Sequence, residues 1–148
     1  MPPLAFALRR RPPPAVLAWV TSEVGGGTRV TSVERLRAGT SSAVHLVRLR
    51  DRRGEPVAVV LRRFVRADWL AQEPDVARRE AGVLRALEQV DVPAPRLIAV
   101  DPDGSQCDVP AVLMTRLPGR IDLAPPDIDA YVRDAARTLV ALHAAGPA

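Results

Sequence analysis

The hydrophobic and polar positions in the first half of the chain follow a helical period and then a strand period. Apolar residues at helical spacing precede the glycines at 25–27, which predicts a helix over 15–24: they are Val16, Leu17, Trp19, Val20 and Val24. Three strand-like stretches come next, at 30–36, 43–49 and 57–64. The residues at 51–54 form a hairpin turn before the third stretch. The pattern therefore predicts an antiparallel meander.

In the second half, a polar connection over 67–75 leads into a predicted helix over 76–89. The apolar face of this helix is predicted to contain Val76, Val83, Leu84 and Leu87. Prolines end the helix, and two more strands are expected at 96–101 and 111–115, joined by the turn Asp101, Pro102, Asp103 and Gly104.

A last helix is expected near the carboxyl end, after a linker rich in Pro and Asp. Asp127 or Asp129 is predicted to cap it. Its apolar face is predicted to consist of Ile128, Tyr131, Val132, Ala135, Leu139 and Leu142. The chain is thus expected to be an α+β protein with a five-stranded antiparallel sheet, one main helix and a carboxy-terminal helix. The chain is predicted to consist of three segments: a disordered Pro/Arg tail (1–14), one lobe (15–119), and a linker with the last helix (120–148).

Composition narrows the class of protein. A chain of 148 residues that is 47% hydrophobic can bury one modest core. Charges, Pro or Gly interrupt every apolar stretch well before the roughly 18 residues that a membrane span needs, so no membrane partner is expected. The first residues place apolar side chains before the arginines at 9–11, the reverse of the order in a secretory signal, so a cytoplasmic protein is expected. The single Cys107 has no partner for an internal disulfide and belongs to no cluster that predicts a zinc site.

The net charge of +4 rests on arginine alone, because the sequence contains no Lys, and it contains no Asn either. A Schiff base or a lysine general base is therefore excluded, and any phosphate contact made by a basic side chain must use the planar fork of Arg. An Arg-rich nucleic-acid-binding protein is one hypothesis. Most arginines alternate with Asp and Glu, and aromatic side chains for base stacking are scarce, so solvated faces are the favoured interpretation.

Two features predict a phosphate site. Gly39, Thr40 and Ser41 lie in the first hairpin, where small residues let backbone amides approach an anion. Arg62 ends the third strand, and Glu80 lies in the first half of the next helix. An ion pair between them would hold the cation in one rotamer and aim it at phosphates. Each feature alone is also common in ordinary turns and on charged surfaces.

The segment 110–119 is an apolar strand that runs into a Pro-Gly turn. Such a connection can expose backbone donors and acceptors to a planar base, with Met114 or Leu113 as an apolar wall. By itself, the segment is equally typical of a strand end.

Together these motifs resemble aminoglycoside-phosphotransferase-like enzymes. Five features occur in the family's order between residues 30 and 143: the glycine-containing hairpin, Leu-Arg-Arg at 61–63, Arg-Arg-Glu at 78–80, Val-Pro-Ala-Pro-Arg at 92–96, and Leu-Met-Thr-Arg-Leu-Pro-Gly at 113–119. The resemblance implies that the lobe is the amino-terminal, nucleotide-binding lobe of a kinase-like fold. It also implies ATP with Mg²⁺ as cofactor and the hydroxyl of a small molecule as phosphate acceptor.

The resemblance also assigns roles to particular residues. Gly39, Thr40 and Ser41 match the loop that covers the nucleotide. Arg62 occupies the position usually held by a phosphate-contacting Lys, and Glu80 matches its helix partner. At the hinge, the carbonyl of Thr115 and the amide of Leu117 would meet adenine, beside Met114.

The family's catalytic loop has the form His-Gly-Asp followed by Asn, and a later Asp binds magnesium. This chain contains no Asn, and its two histidines are His45 and His143. No catalytic or metal-binding residue is therefore assigned, and residues 120–148 are expected to contain only the first helix of a second, incomplete lobe. The chain alone is expected not to transfer phosphate. The alternative is a non-catalytic module that binds a nucleotide or a protein.

Overall fold

The backbone forms a five-stranded antiparallel sheet with helices on both faces, in a computed structural model that describes residues 10–36, 41–119, 122 and 124–144. The strands are β1 (Arg29–Leu36), β2 (Ala43–Arg50), β3 (Pro56–Arg63), β4 (Leu97–Asp101) and β5 (Ala111–Thr115). In the described residues the helices are α1 (Pro14–Val24), α2 (Ala67–Gln72), α3 (Val76–Leu87) and α4 (Ile128–Ala144). The α+β class and the five antiparallel strands predicted from the sequence are confirmed.

The strand order is β1-β2-β3-β5-β4, so β5 inserts between the meander and β4. The hairpin between β2 and β3 is fixed by Asp51, whose Oδ1 accepts the amides of Arg53 and Glu55 at 2.8 Å each. Gly54 takes φ 85° there, in the left-handed region that glycine adopts without steric cost. This local turn sets the register in which Val44 lies opposite Arg62.

Alternation along each strand gives the sheet two different faces. Odd-numbered residues of β3, such as Val59 and Leu61, pack against α1 on what we call the back face. Even-numbered residues, such as Val60, lie on the opposite, front face, toward α2 and α3. Consecutive residues Arg62 and Arg63 therefore lie on opposite faces.

Two helical predictions need correction. The polar connection predicted over 67–75 contains the short helix α2, whose Trp69 packs on buried Phe64 with ring centroids 5.7 Å apart. On α3, Val83 was predicted to lie on the apolar face but is 52% exposed, whereas the small residues Ala77 and Ala81 are fully buried. The buried face of α3 therefore consists of Val76, Ala77, Ala81 and Leu84, and Val83 lies at its edge, beside the cleft.

The last helix, α4, begins at Ile128, and Asp127 rather than Asp129 caps it by accepting the amide of Ala130 at 2.8 Å. None of its side chains is buried. Five large apolar residues of this helix are more than half exposed: Ile128, Tyr131, Val132, Leu139 and Val140. No helix in the described ranges is both long enough and apolar enough to cross a membrane.

Two buried polar side chains, Arg63 and His45, interrupt the apolar core on the back face. Arg63 is 1% exposed, and its guanidinium donates to Asp108 at 2.9 Å and to the carbonyl of Arg10 at 3.3 Å. His45 is 2% exposed, and its Nδ1 has no hydrogen-bond partner within the described part of the chain. Burial, and then the positive charges of Arg63 and Arg35, lower the pKa of His45 from 6.5 to about 4. His45 is therefore neutral in the folded protein at neutral pH.

We expect this histidine to make the free energy of unfolding depend on pH. Because the folded-state pKa of His45 lies below its unfolded value of 6.5, the unfolded chain takes up a proton first as the pH falls. The stability contributed by neutral His45 is complete above pH 6.5 and is lost progressively toward about pH 4. Urea unfolding between pH 7 and about 5, above the range where most carboxylates titrate, measures the slope.

The variant His45→Leu should flatten this slope because it removes the titrating group from the core. The matched control is His143→Leu, at an exposed position of α4, which should keep the wild-type slope. An unchanged slope in His45→Leu would contradict the assignment.

Candidate functional site

A cleft runs along the front face of the sheet, between the strands on one side and α3 with Pro95 on the other. It consists of an inner cavity of about 530 Å³ and an outer cavity of about 800 Å³. Both are lined by Leu36, Val60, Pro95 and Met114, so they form one continuous cleft.

The inner cavity has apolar walls and one polar end. Apart from the four shared residues, its walls include Val44, Val83 and Leu84. The polar end consists of Ser41, Ser42, Arg62 and Glu80. An apolar cleft with a few convergent polar groups is typical of a small-molecule site, and a cation at one end favours an anionic group there.

Arg62 and Glu80 form an ion pair at this polar end. Arg62 Nη1 lies 2.7 Å from Glu80 Oε2, because the front face of β3 packs against the face of α3 that carries Glu80. The side chains are 30% and 21% exposed, so the pair is partly screened by solvent. Its main effect is therefore orientation: it holds Nη1 of the guanidinium and fixes the direction of the remaining nitrogens.

Two further contacts hold the same guanidinium. Arg62 Nε donates to Ser42 Oγ at 2.9 Å, and Arg62 Cζ lies 5.0 Å from the ring centroid of Phe64. Ser42 is 3% exposed and was not among the predicted site residues. The strand register could have identified it, because Val44 is opposite Arg62 and Ser42 lies two residues earlier on the same face.

The outer cavity lies where β5 ends and is lined by Thr115, Arg116 and Leu117. The amide of Thr115 donates to the carbonyl of Arg96 at 2.9 Å, and Thr115 Oγ1 accepts the amide of Arg96 at 2.9 Å. The amide and the hydroxyl of Thr115 therefore tie the end of β5 to the residue that precedes β4, beside the outer cavity. Leu117 is 41% exposed.

The cleft brings together six of the eight predicted site residues. Ser41, Arg62, Glu80 and Met114 line the inner cavity, and Met114, Thr115 and Leu117 line the outer one. Gly39 and Thr40 lie outside the described residues. Of the two residues considered for the apolar wall, Met114 lies in the cleft, whereas Leu113 is buried in the core of the back face.

Within residues 10–36, 41–119 and 124–144, no group of three or more His, Cys, Asp or Glu side chains is placed to hold a metal ion. The acidic turn after β4 is satisfied internally. Asp101 Oδ2 accepts the amides of Gln106 and Cys107 at 2.8 and 2.6 Å, and Oδ1 accepts the hydroxyl of Ser105 at 3.3 Å. The Asp101 carboxylate thus organises its own loop.

Two comparisons with known proteins found similar sequences or structures. Residues 32–148 match the sequence model of the phosphotransferase enzyme family. Among solved structures, the chain is similar to a Ralstonia eutropha JMP134 protein provisionally named an aminoglycoside phosphotransferase, with 24% identity and a TM-score of 0.60. The match covers 89% of this chain and 39% of that protein, so the chain spans well under half of it. No curated protein matches. The structural likeness supports the fold, a kinase-like amino-terminal lobe.

The neighbouring arginines of β3 should differ in their contribution to stability. Arg63→Ala should lower the free energy of unfolding by about 2–3 kcal/mol, because it empties a buried site and removes the partner of Asp108. Arg62→Ala should cost about 1 kcal/mol or less, because its ion pair is partly exposed. Urea denaturation of both variants measures the difference. Equal losses would contradict the assignment of Arg63 to the buried core and of Arg62 to a partly exposed ion pair.

Proposed function

The chain belongs to the phosphotransferase enzyme family, and from that premise we propose that its cleft is the ATP site of an enzyme that transfers phosphate to the hydroxyl of a small molecule. The observation that carries the proposal is Arg62, held by Glu80 at the polar end of an apolar cleft. A nucleotide has the matching chemistry, with a planar base at one end and anionic phosphates at the other.

In this proposal the base lies between the apolar walls, near Met114. The carbonyl of Thr115 accepts from the exocyclic amine of adenine, and the amide of Leu117 donates to a ring nitrogen. The position of Thr115 beside the outer cavity, at the end of β5, supports this assignment. The position of Leu117 beside the outer cavity agrees with it.

The phosphates lie at the other end, against Arg62. Gly39, Thr40 and Ser41 cover them in the same proposal, and Ser41 lines the inner cavity there. Arg is bulkier than the Lys that the family usually has at this position, and it offers nitrogens in a fixed plane. Once Glu80 has oriented one nitrogen, the others are directed as well, so Arg62 can contact phosphate oxygens from a defined angle.

The described residues fit the nucleotide better than they fit magnesium. Glu80 is engaged by Arg62, and no other carboxylate of the described residues lines the inner cavity. Magnesium therefore enters the proposal as the ion that accompanies ATP through its phosphates, where it neutralises charge.

Transfer to an acceptor requires a positioned nucleophile and metal ligands as well as phosphate contacts. The family's catalytic Asn has no counterpart here, because the sequence contains no Asn. We propose that residues 1–148 bind the nucleotide without transferring phosphate, and that the acceptor is bound by a part of the enzyme that this sequence does not include.

Calorimetric titration of the chain with ATP and Mg²⁺ tests the proposal. We expect saturable binding that Arg62→Ala weakens about tenfold or more, because a charge-assisted contact to phosphate is lost. Glu80→Ala should weaken binding by a smaller factor, since Arg62 remains but loses its orientation. Incubation of the same sample with radiolabelled ATP should release no phosphate above the rate without protein.

Two exposed residues provide matched controls, an arginine for Arg62 and a glutamate for Glu80. Arg78→Ala on α3 and Glu88→Ala at its carboxyl end remove equivalent charges outside the cleft and should leave the affinity unchanged. A folded wild-type chain that does not bind ATP, or equal losses in the control variants, would contradict the proposal.

A further inference from the structure

Ser42 lines the cleft and contacts Arg62, but the proposed nucleotide site gives it no role. Its side chain is buried immediately before β2, and its hydroxyl accepts from Arg62 Nε at 2.9 Å. A buried hydroxyl with a charged donor is a strong and directional partner. The contact joins the end of the loop before β2 to the cation of β3, so it fixes two parts of the polar end relative to each other.

The contact depends on the presence of Arg rather than Lys at position 62. Nε is a donor within the guanidinium of Arg, whereas Lys carries donors only on its terminal ammonium and has a methylene group along its stem. Glu80 holds Nη1, and Ser42 holds Nε, at two different positions of the planar group. Two fixed points and the Phe64 ring below determine the orientation of the whole plane.

We propose that Ser42 is a positioning residue for Arg62, which orients the guanidinium toward the phosphates of a nucleotide bound in the cleft. This inference rests on the proposed function. The third guanidinium nitrogen, Nη2, has no partner within the part of the chain that the structure describes, and it is the nitrogen that this arrangement directs to the ligand.

The test is a double-mutant cycle measured by calorimetry, with MgATP and with adenosine as separate ligands. Ser42→Ala should weaken MgATP binding by about five- to tenfold, because one hydrogen bond to a charged group is lost. Binding of adenosine, which carries no phosphate, should change by less than about twofold. A purely structural role for Ser42 would weaken both ligands alike.

The second arm repeats the substitution in a chain that already carries Arg62→Lys. There Ser42→Ala should change MgATP affinity by less than about twofold, because Lys has no Nε–H donor for the hydroxyl. Ser32→Ala, at an exposed position of β1, is the matched control and should leave both affinities unchanged. If Ser42→Ala does not fold, Ser42→Cys keeps nearly the same shape with a weak acceptor and should weaken MgATP binding in the same direction.

The outcomes separate the two proposals. Suppose that the wild-type chain binds MgATP and that Ser42→Ala has equal effects in the wild-type and Arg62→Lys backgrounds. This result would overturn the positioning role and leave the nucleotide site intact. Equal losses for MgATP and adenosine would also overturn it. A folded wild-type chain that binds adenosine and MgATP with no difference in affinity, or binds neither, would contradict the phosphate site itself and this inference with it.

Discussion

The alternation of side chains along β3 is the constraint on which the rest of the structure depends. Because successive residues of a strand project to opposite faces, Arg62 lies in the cleft and Arg63 in the core of the back face. The two arginines look identical in the sequence, yet one is partly hydrated and paired with a helix carboxylate, and the other is buried and joined to a loop carboxylate. A one-residue shift of this strand would exchange the faces of the two arginines and separate Arg62 from Glu80.

The absence of lysine from the sequence gives the cleft a different internal structure from one built on an ammonium group. A guanidinium has several donors in a plane, so its orientation matters as well as its position. Three contacts fix this orientation: Glu80 binds one nitrogen, Ser42 binds another, and the Phe64 ring lies against the guanidinium. Phe64 is fully buried and packs on Trp69 of α2, so the short helix supports the cleft indirectly.

The sheet and the last helix differ in how completely their apolar surfaces are covered. Around the sheet, apolar side chains from both faces are buried in two cores. The residues of α4 remain exposed along its length, although Asp127 caps the helix and its apolar pattern is regular. The pattern defines an amphipathic helix, but the burial of its apolar face depends on a packing surface that the described residues do not supply.

The sequence by itself determined the strands, the hairpin at Asp51 and the helix periodicity, because these follow from local turn chemistry and from side-chain period. It also determined the pairing partners Arg62 and Glu80, through the resemblance of ordered motifs to a family. Only the tertiary structure decided that β5 pairs with β3, that Ala77 and Ala81 replace Val83 in the core, and that Ser42 meets Arg62. These outcomes depend on distances between segments that are far apart in the chain, which neither period nor propensity specifies.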